Sequence, residues 1–121
     1  ACAFAPDGKT LLSGSRDQTL KLWEAASGKE LRTLAGHKEA VWACAFAPDG
    51  KTLLSGSRDQ TLKLWEAASG KELHTFDLGW IPRGIAFSPQ QRGLVAVANA
   101  NGTVTLFDLS REPRLAHYFA G

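Results

Sequence analysis

The stretch that decides the fold is residues 41–76, VWACAFAPDGKTLLSGSRDQTLKLWEAASGKELHTF. It holds four short extended runs: VWACAF (41–46), TLLSGS (52–57), TLKLWE (61–66) and KELHTF (71–76). Segments typical of turns separate them, namely Pro48-Asp49-Gly50, residues 58–60 and Ala68-Ser69-Gly70. In the third run, leucines alternate with polar residues at the period of a half-buried strand. The stretch therefore predicts a four-stranded antiparallel meander.

The same unit occurs three times in the 121 residues, twice with little or no change. Residues 1–31 recur without change at 43–73, a period of 42 residues. A degenerate third copy runs from Ile85 to Leu109, where Asn101-Gly102 is a strong hairpin signal. The sequence therefore predicts an all-β chain in a single domain, with units at about 1–36, 37–78 and 79–121.

Composition excludes several classes of protein. Fourteen Lys and Arg against twelve Asp and Glu give a net charge of +2, too even to favour nucleic acid as a partner. No apolar run is long enough for a membrane span, and no signal-peptide pattern is present. We expect Cys2 and Cys44 to be free, buried thiols in an intracellular, cytoplasmic protein. Because methionine is absent, we expect the 121 residues to belong to a longer chain.

The order of motifs in one unit resembles the WD-repeat family of β-propellers. Gly36-His37 precedes a strand, Pro48-Asp49-Gly50 follows it, and SGSRDQTLKLWE (55–66) comes next. The family's Trp-Asp pair is Trp23-Glu24 and Trp65-Glu66 in the first two units and Phe107-Asp108 in the third. The resemblance implies a propeller built of four-stranded antiparallel blades, three of them in this chain, with the first strand of each lining a central channel.

The resemblance also implies a hydrogen-bonded tetrad in the second blade, formed by His37, Ser55, Asp59 and Trp65. The first blade repeats part of this set as Ser13, Asp17 and Trp23. The third blade has Val97, Asn101 and Phe107 at the matching positions and Gly79 near that of the histidine, so we expect it to rely on apolar packing.

A catalytic site is a competing interpretation of the same residues. Ser55, His37 and Asp59 match the residue types of a nucleophile, a base and an acid. Duplication of the set with the blade favours a structural role, so no catalytic residue is predicted. Cys2 and Cys44 have no CxxC spacing and no paired His, so no metal is predicted, and no cofactor is expected. Gly50-Lys51-Thr52 ends like a phosphate-binding loop, but Ala45 stands where that loop needs glycine.

The resemblance implies that partners bind on one flat face of the propeller, the top face. Its contact positions are Arg16, Arg58, Trp42 and Ala40, with Arg83, Ile81 and Ala100 in the third blade. Arginine beside an exposed tryptophan suits a protein or peptide that bears carboxylates or phosphates. Alternatively, Arg16 and Arg58 are solvated turn residues and Trp42 packs against a neighbouring blade.

Two functions follow from this fold. The first is a non-catalytic interaction scaffold, a segment of a larger propeller. The second is a self-assembling unit that completes a ring with identical copies. In both cases we expect that the three blades do not exist as a lone monomer, because each blade needs neighbours on both sides. Further blades of the same parent chain, or identical copies, are therefore expected partners.

Overall fold

The computed structural model describes residues 1–90, 93–109 and 114–120, the last range by its backbone only. Within these residues every regular element is a strand, which confirms the all-β prediction. The strands are β1 (Cys2–Phe4), β2 (Thr10–Gly14), β3 (Thr19–Glu24), β4 (Glu30–Ala35), β5 (Val41–Phe46), β6 (Thr52–Ser57), β7 (Thr61–Glu66), β8 (Glu72–Asp77), β9 (Pro82–Phe87), β10 (Leu94–Asn99), β11 (Thr103–Asp108) and β12 (Arg114–Ala120). The described residues contain no helix that could cross a bilayer.

The strands form three separate antiparallel sheets, as the meander pattern predicts. Blade 1 is β1–β4, blade 2 is β5–β8 and blade 3 is β9–β12, and each strand pairs with the next along the chain. The first strands of the three blades, β1, β5 and β9, are called the inner strands. They are neighbours in space, because β5 contacts both β1 and β9. The predicted strand limits in blade 2 hold for the first three runs, and β8 is shifted by one residue. A bulge between Leu64 and Trp65 in the pairing of β7 with β8 accompanies this shift.

Repeated turns connect the strands at the two ends of each blade. After β1 and β5, the Asp-Gly turns place Gly8 and Gly50 at φ +71°, a conformation that glycine adopts without strain. The turns before β3 and β7 use Gln18 and Gln60 at positive φ, where blade 3 has Gly102.

The apolar core lies between the blades, in two clusters. The cluster between blades 1 and 2 contains Ala5, Leu12, Leu20, Leu22, Leu34, Val41, Cys44, Phe46, Leu53 and Trp65. The cluster between blades 2 and 3 contains Leu54, Leu62, Leu64, Val95, Val97 and Phe107. Side chains alternate between the two faces of a strand, so successive residues of β6 enter different clusters. Blade 2 is therefore covered on both faces.

The prediction that both cysteines are buried is wrong for Cys2. Cys44 is buried between blades 1 and 2, whereas Cys2, at the same position of an identical sequence, is exposed. The cause is the neighbouring blade, because blade 1 covers Cys44 and no described strand covers Cys2. Burial raises the pKa of the Cys44 thiol to about 11.

Candidate functional site

The structure joins four side chains of blade 2 in one chain of hydrogen bonds. His37 Nδ1 lies 2.9 Å from Asp59 Oδ2, and His37 Nε2 lies 2.6 Å from Ser55 Oγ. The Trp65 indole donates to the same Ser55 Oγ over 2.8 Å. A carboxylate can only accept, so Nδ1 carries the proton, and neutral Nε2 then accepts from the Ser55 hydroxyl. The hydrogen bonds thus have one consistent direction, from the indole to the carboxylate.

The pKa values of this group agree with that direction. Burial lowers the pKa of His37 below 6.5, and the hydrogen bond to Asp59 only partly opposes the effect. Burial alone would raise the pKa of Asp59. Hydrogen bonds from Thr61, the Lys38 amide and His37 outweigh it and lower the pKa to about 2. The imidazole is therefore neutral and the carboxylate charged at neutral pH.

The position of Ser55 and His37 gives them no route to a substrate. Ser55 has no exposed surface and His37 is 5% exposed. The Ser55 hydroxyl also accepts from Trp65, an interaction that would oppose its activation as a nucleophile. What the group does hold is the chain before β5, because the Lys38 amide donates to Asp59 over 2.9 Å.

Sequence reasoning missed Ser57, which holds the same segment at a second point. Its hydroxyl lies 3.0 Å from the Glu39 carbonyl and 2.9 Å from the Ala40 carbonyl, and it has no exposed surface. Its place in the quoted SGS run, two residues after Ser55 and on the same face of β6, was the available signal.

Blade 1 holds part of the same arrangement. The Trp23 indole donates to Ser13 Oγ over 2.9 Å, matching Trp65 and Ser55. Asp17 is exposed and accepts from the amide and hydroxyl of Thr19, which lowers its pKa.

Blade 3 differs from the expectation of purely apolar packing. Val97 and Phe107 are buried at the positions of Ser55 and Trp65. A buried amide replaces the lost polar group, because Asn99 Nδ2 donates to Thr103 Oγ1 over 3.0 Å and to Thr105 Oγ1 over 2.9 Å. Asn101 accepts from the Thr103 amide, as Asp59 does from Thr61. The blade therefore keeps a polar network, centred on Asn99.

Backbone hydrogen bonds bring the predicted contact positions together at one end of the strands. The Arg58 amide donates to the Ala40 carbonyl over 2.9 Å, and in blade 3 the Ala100 amide donates to Ile81 over 2.8 Å. The Val41 amide donates to the Ser15 carbonyl over 2.9 Å, which places the turn bearing Arg16 beside blade 2. This end of the three blades is the top face.

Two β-bulges direct Trp42 and Arg83 toward each other on the top face. The pairing of β5 with β6 shifts between Val41 and Ala43 and leaves Trp42 outside the register. Arg83 is outside the register of β9 with β10 in the same way. Arg83 Cζ lies 4.9 Å from the centroid of the Trp42 ring, a cation–π contact between blades. Sequence reasoning selected both residues but not their contact, because a bulge has no signal in the residue types of these strands.

The remaining top-face side chains carry mixed charge. Arg16, Arg58 and Arg83 are exposed, Ala40 and Trp42 are half-buried, and Lys38 and Glu39 lie at the rim. Among the described residues, neither Arg16 nor Arg58 pairs with a carboxylate. Two unpaired guanidinium groups therefore lie on the same face as the Trp42–Arg83 pair.

A groove of about 680 Å³ opens between blades 2 and 3 at the other end of the strands. Pro48, Leu64, Phe87, Pro89 and Leu109 form most of its apolar wall. The part of the chain that the structure describes holds no cluster of three His, Cys, Asp or Glu able to bind a metal. The groove therefore presents mainly apolar surface, and its described residues form no metal-binding cluster.

Comparison with known proteins identifies the repeat. The family model described as "WD domain, G-beta repeat" matches residues 1–24 and 28–66, just over half of the chain. Its match covers the first two blades as far as β7. It includes the four hydrogen-bonded side chains of His37, Ser55, Asp59 and Trp65, called here the His37 group.

Curated proteins match over a single repeat length. The dynein assembly factor with WD repeat domains 1 of Xenopus laevis is 49% identical over 41 residues, 34% of this chain and 10% of that protein. F-box/WD repeat-containing protein 7 of Drosophila melanogaster is 56% identical over 36 residues, 30% of this chain and 3% of that protein. The probable serine/threonine-protein kinase PkwA of Thermomonospora curvata is 49% identical over 41 residues, 34% and 6% respectively. The matched part of the chain spans a tenth or less of these relatives.

Proposed function

The chain belongs to the WD-repeat family, and from that premise we propose that it is a non-catalytic scaffold that binds a protein or peptide on its top face. WD repeats are in general interaction modules rather than enzymes. The single observation that carries the proposal is the Trp42–Arg83 pair, formed by two bulged residues of adjacent inner strands.

The pair has the composition of an interaction hot spot. Tryptophan and arginine dominate binding energy at protein interfaces, and a half-buried ring is already held in place before a partner arrives. Arg83 fixes one side of the Trp42 ring and remains exposed itself. Much of the conformational entropy that these two side chains would lose on binding is therefore already lost in the free protein.

Charge favours a partner with carboxylates or phosphates. The guanidinium groups of Arg16, Arg58 and Arg83 lie on the same face and can each make a two-pronged contact with such a group. On this face the cations Arg16, Arg58, Arg83 and Lys38 outnumber the carboxylates Asp17, Glu39 and Asp59, so the local charge is positive. We propose an acidic peptide segment as the partner, rather than nucleic acid or a membrane surface.

A catalytic role is not supported by the His37 group. Its serine and imidazole are buried, so its proposed role is to fix the Lys38 amide through Asp59, while Ser57 fixes Glu39 and Ala40 at the edge of the top face. The two free thiols support a cytoplasmic location, since disulfides are rare there.

The proposal is tested by selecting peptides from a random display library on the immobilised chain. Binding of a selected peptide is then measured by calorimetry. We expect acidic peptides to be enriched and Trp42→Ala with Arg58→Glu to weaken their binding by about tenfold or more, because the double change removes a hot-spot side chain and reverses a charge.

The matched control changes charge on the opposite end of the blades. Lys9→Glu with Lys51→Glu reverses two exposed cations on the turns after β1 and β5, and should leave peptide binding within about twofold. If the top-face variant bound the selected peptide as tightly as the unaltered chain, partner binding on this face would be excluded.

A further inference from the structure

A cavity of about 370 Å³ lies between β8 of blade 2 and β11 of blade 3. Buried Thr105 and Phe107 form its floor. Half-buried Phe76 and Trp80 form its sides, and exposed Asp77 lies at its rim. Small-ligand sites in proteins have volumes in this range and combine an apolar wall with a few polar groups. The cavity therefore has the size and composition of a site for a small group.

Blade 2 shows what occupies the corresponding place one blade earlier. The register places Lys63 where blade 3 has Thr105, and Trp65 where blade 3 has Phe107. Lys63 is 9% exposed, and its ammonium donates to Glu72 Oε1 over 2.8 Å. Blade 2 therefore buries a lysine side chain at the position where blade 3 has a threonine.

The end of the preceding blade locates the Lys63 side chain. A Cβ on Gly36, just after β4, would lie 3.8 Å from Lys63 Cε and 3.1 Å from Trp65 Cη2. Leu78 follows β8 as Gly36 follows β4, and Leu78 lines the cavity. Because threonine is shorter than lysine, the cavity of blade 3 lies at the place that the Lys63 side chain takes in blade 2.

We propose that this cavity binds a primary alkylammonium group, carried either by a lysine side chain of a partner or by a free amine. The group takes the place that Lys63 takes in blade 2. The rings of Phe76 and Trp80 contact its alkyl chain and attract its positive charge, and Asp77 supplies the opposite charge at the rim. This inference is independent of the proposed function of the top face.

Charge favours an alkylammonium over a neutral apolar group. Among the described residues that line the cavity, Asp77 is the only one with a charged side chain. An alkyl chain buries apolar surface against the aromatic side chains, as the stem of Lys63 does beside Trp65. The ammonium at its end then lies at the rim, beside a carboxylate and open to solvent. Binding therefore does not require the burial of an unpaired charge.

The test is an NMR titration of the ¹⁵N-labelled chain with lysine blocked at both ends, as its Nα-acetyl N-methylamide. Norleucine blocked in the same way is the control ligand, because it has the same alkyl chain without the ammonium. We expect saturable shifts at the amides of Asp77, Leu78 and Thr105, and binding of blocked norleucine about tenfold weaker or less. Butylammonium, the lysine side chain alone, distinguishes the two sources. Binding of butylammonium more than about tenfold tighter than that of blocked lysine assigns the site to free amines, and comparable binding assigns it to lysine side chains.

Asp77→Asn should weaken the binding of blocked lysine by about threefold or more, because the rim loses its charge. Asp7→Asn is the matched control, since it removes an exposed carboxylate from a turn of blade 1, and it should change the affinity by less than about 1.5-fold. Thr105→Lys should place an ammonium of the chain itself in the cavity and abolish binding, and the dispersion of its NMR spectrum reports whether it folds. Equal affinity of the two blocked ligands would overturn the proposal, as would unchanged affinity in Asp77→Asn.

Discussion

At the scale of single residues, the His37 group shows how buried polar side chains are stabilised when every hydrogen bond joins a donor to an acceptor. Each member has one role: the Trp65 indole only donates, the Asp59 carboxylate only accepts, and Ser55 and His37 do both. Removing an end member leaves a buried neighbour without its partner, which costs more than the bond contributed.

Asp59→Ala should therefore lower the free energy of unfolding by about 1–3 kcal/mol, measured by urea titration. His37 Nδ1 and the Lys38 amide both lose their acceptor. Asp17→Ala is the matched control, since it removes the same residue from the same turn in blade 1, where Asp17 is exposed. A loss no larger for Asp59 than for Asp17 would show that the buried imidazole does not depend on its carboxylate.

Acid should destabilise the fold in two steps. The pKa of His37 is lowered, so the unfolded chain takes up a proton below about pH 6.5 that the folded chain resists. The pKa of Asp59 falls from 3.8 to about 2, so its contribution is complete above 3.8 and is lost as the pH drops toward 2. In both steps the unfolded state binds more protons, and stability decreases.

The measurement is the free energy of unfolding between about pH 8 and pH 3. In His37→Gln the decrease that begins near pH 6.5 should disappear, while the decrease below about pH 4 remains. An unchanged upper step in this variant would assign it to another group.

Residue types alone predicted the members of the His37 group, but not the contact between Trp42 and Arg83 or the hydrogen bonds of Asn99. The spacing of His37, Ser55, Asp59 and Trp65 carries the family pattern, so their partners could be named. The meeting of Trp42 with Arg83 depends on two bulges, and a bulge is a property of pairing between strands. Asn99 was missed because blade 3 has Val97 at the position of Ser55. With that serine absent, the sequence pattern pointed to apolar packing rather than to another polar network.

At the scale of strands, close approach between blades depends on glycine in the second strand. A Cβ on Gly56 would lie 2.9 Å from Pro82 Cγ of the next inner strand, and one on Gly14 would lie 2.7 Å from Val41 Cγ1. The same position in two blades thus lets the following inner strand pack against the backbone.

Gly56→Ala should lower the free energy of unfolding by about 1–3 kcal/mol, because the rigid ring of Pro82 cannot move aside without shifting β9. Gly84→Ala is the matched control, since its Cβ would meet the Ala98 Cβ at an ordinary 3.5 Å. The midpoints of thermal unfolding of the two variants are measured and compared with each other. Equal midpoints would mean that the interface between blades 2 and 3 tolerates an added methyl group.

Strand positions were the most predictable part of the fold. Alternation and turn residues defined VWACAF, TLLSGS and TLKLWE, and the structure has β5, β6 and β7 at the same limits. Burial was less predictable, because Cys2 and Cys44 share one local sequence and differ only in what lies beside them. Local pattern predicts which face of a strand is apolar, whereas the neighbouring sheet decides whether that face is covered.

At the scale of the whole molecule, blades 1 and 2 form a natural comparison. Residues 10–24 and 52–66 are identical, so their amides have the same intrinsic exchange chemistry. Among the described strands, blade 2 is packed on both faces and blade 1 on one. We expect amides of β6 and β7 to exchange with deuterium about tenfold more slowly, or slower still, than those of β2 and β3. Equal protection would mean that packing between blades adds nothing to local stability.

The exact repetition of residues 1–31 at 43–73 also bears on how the chain reaches this structure. During folding, β2 offers β5 the same partner sequence that β6 does, so an exchanged hairpin is locally as favourable as the native one. The two outcomes are separated only where the copies differ. These differences begin at Arg32 against His74 and include Leu34 against Phe76, Ala35 against Asp77, Gly36 against Leu78 and His37 against Gly79. The outer strand and the connection after it therefore encode the order of the blades, while the shared residues encode only their shape.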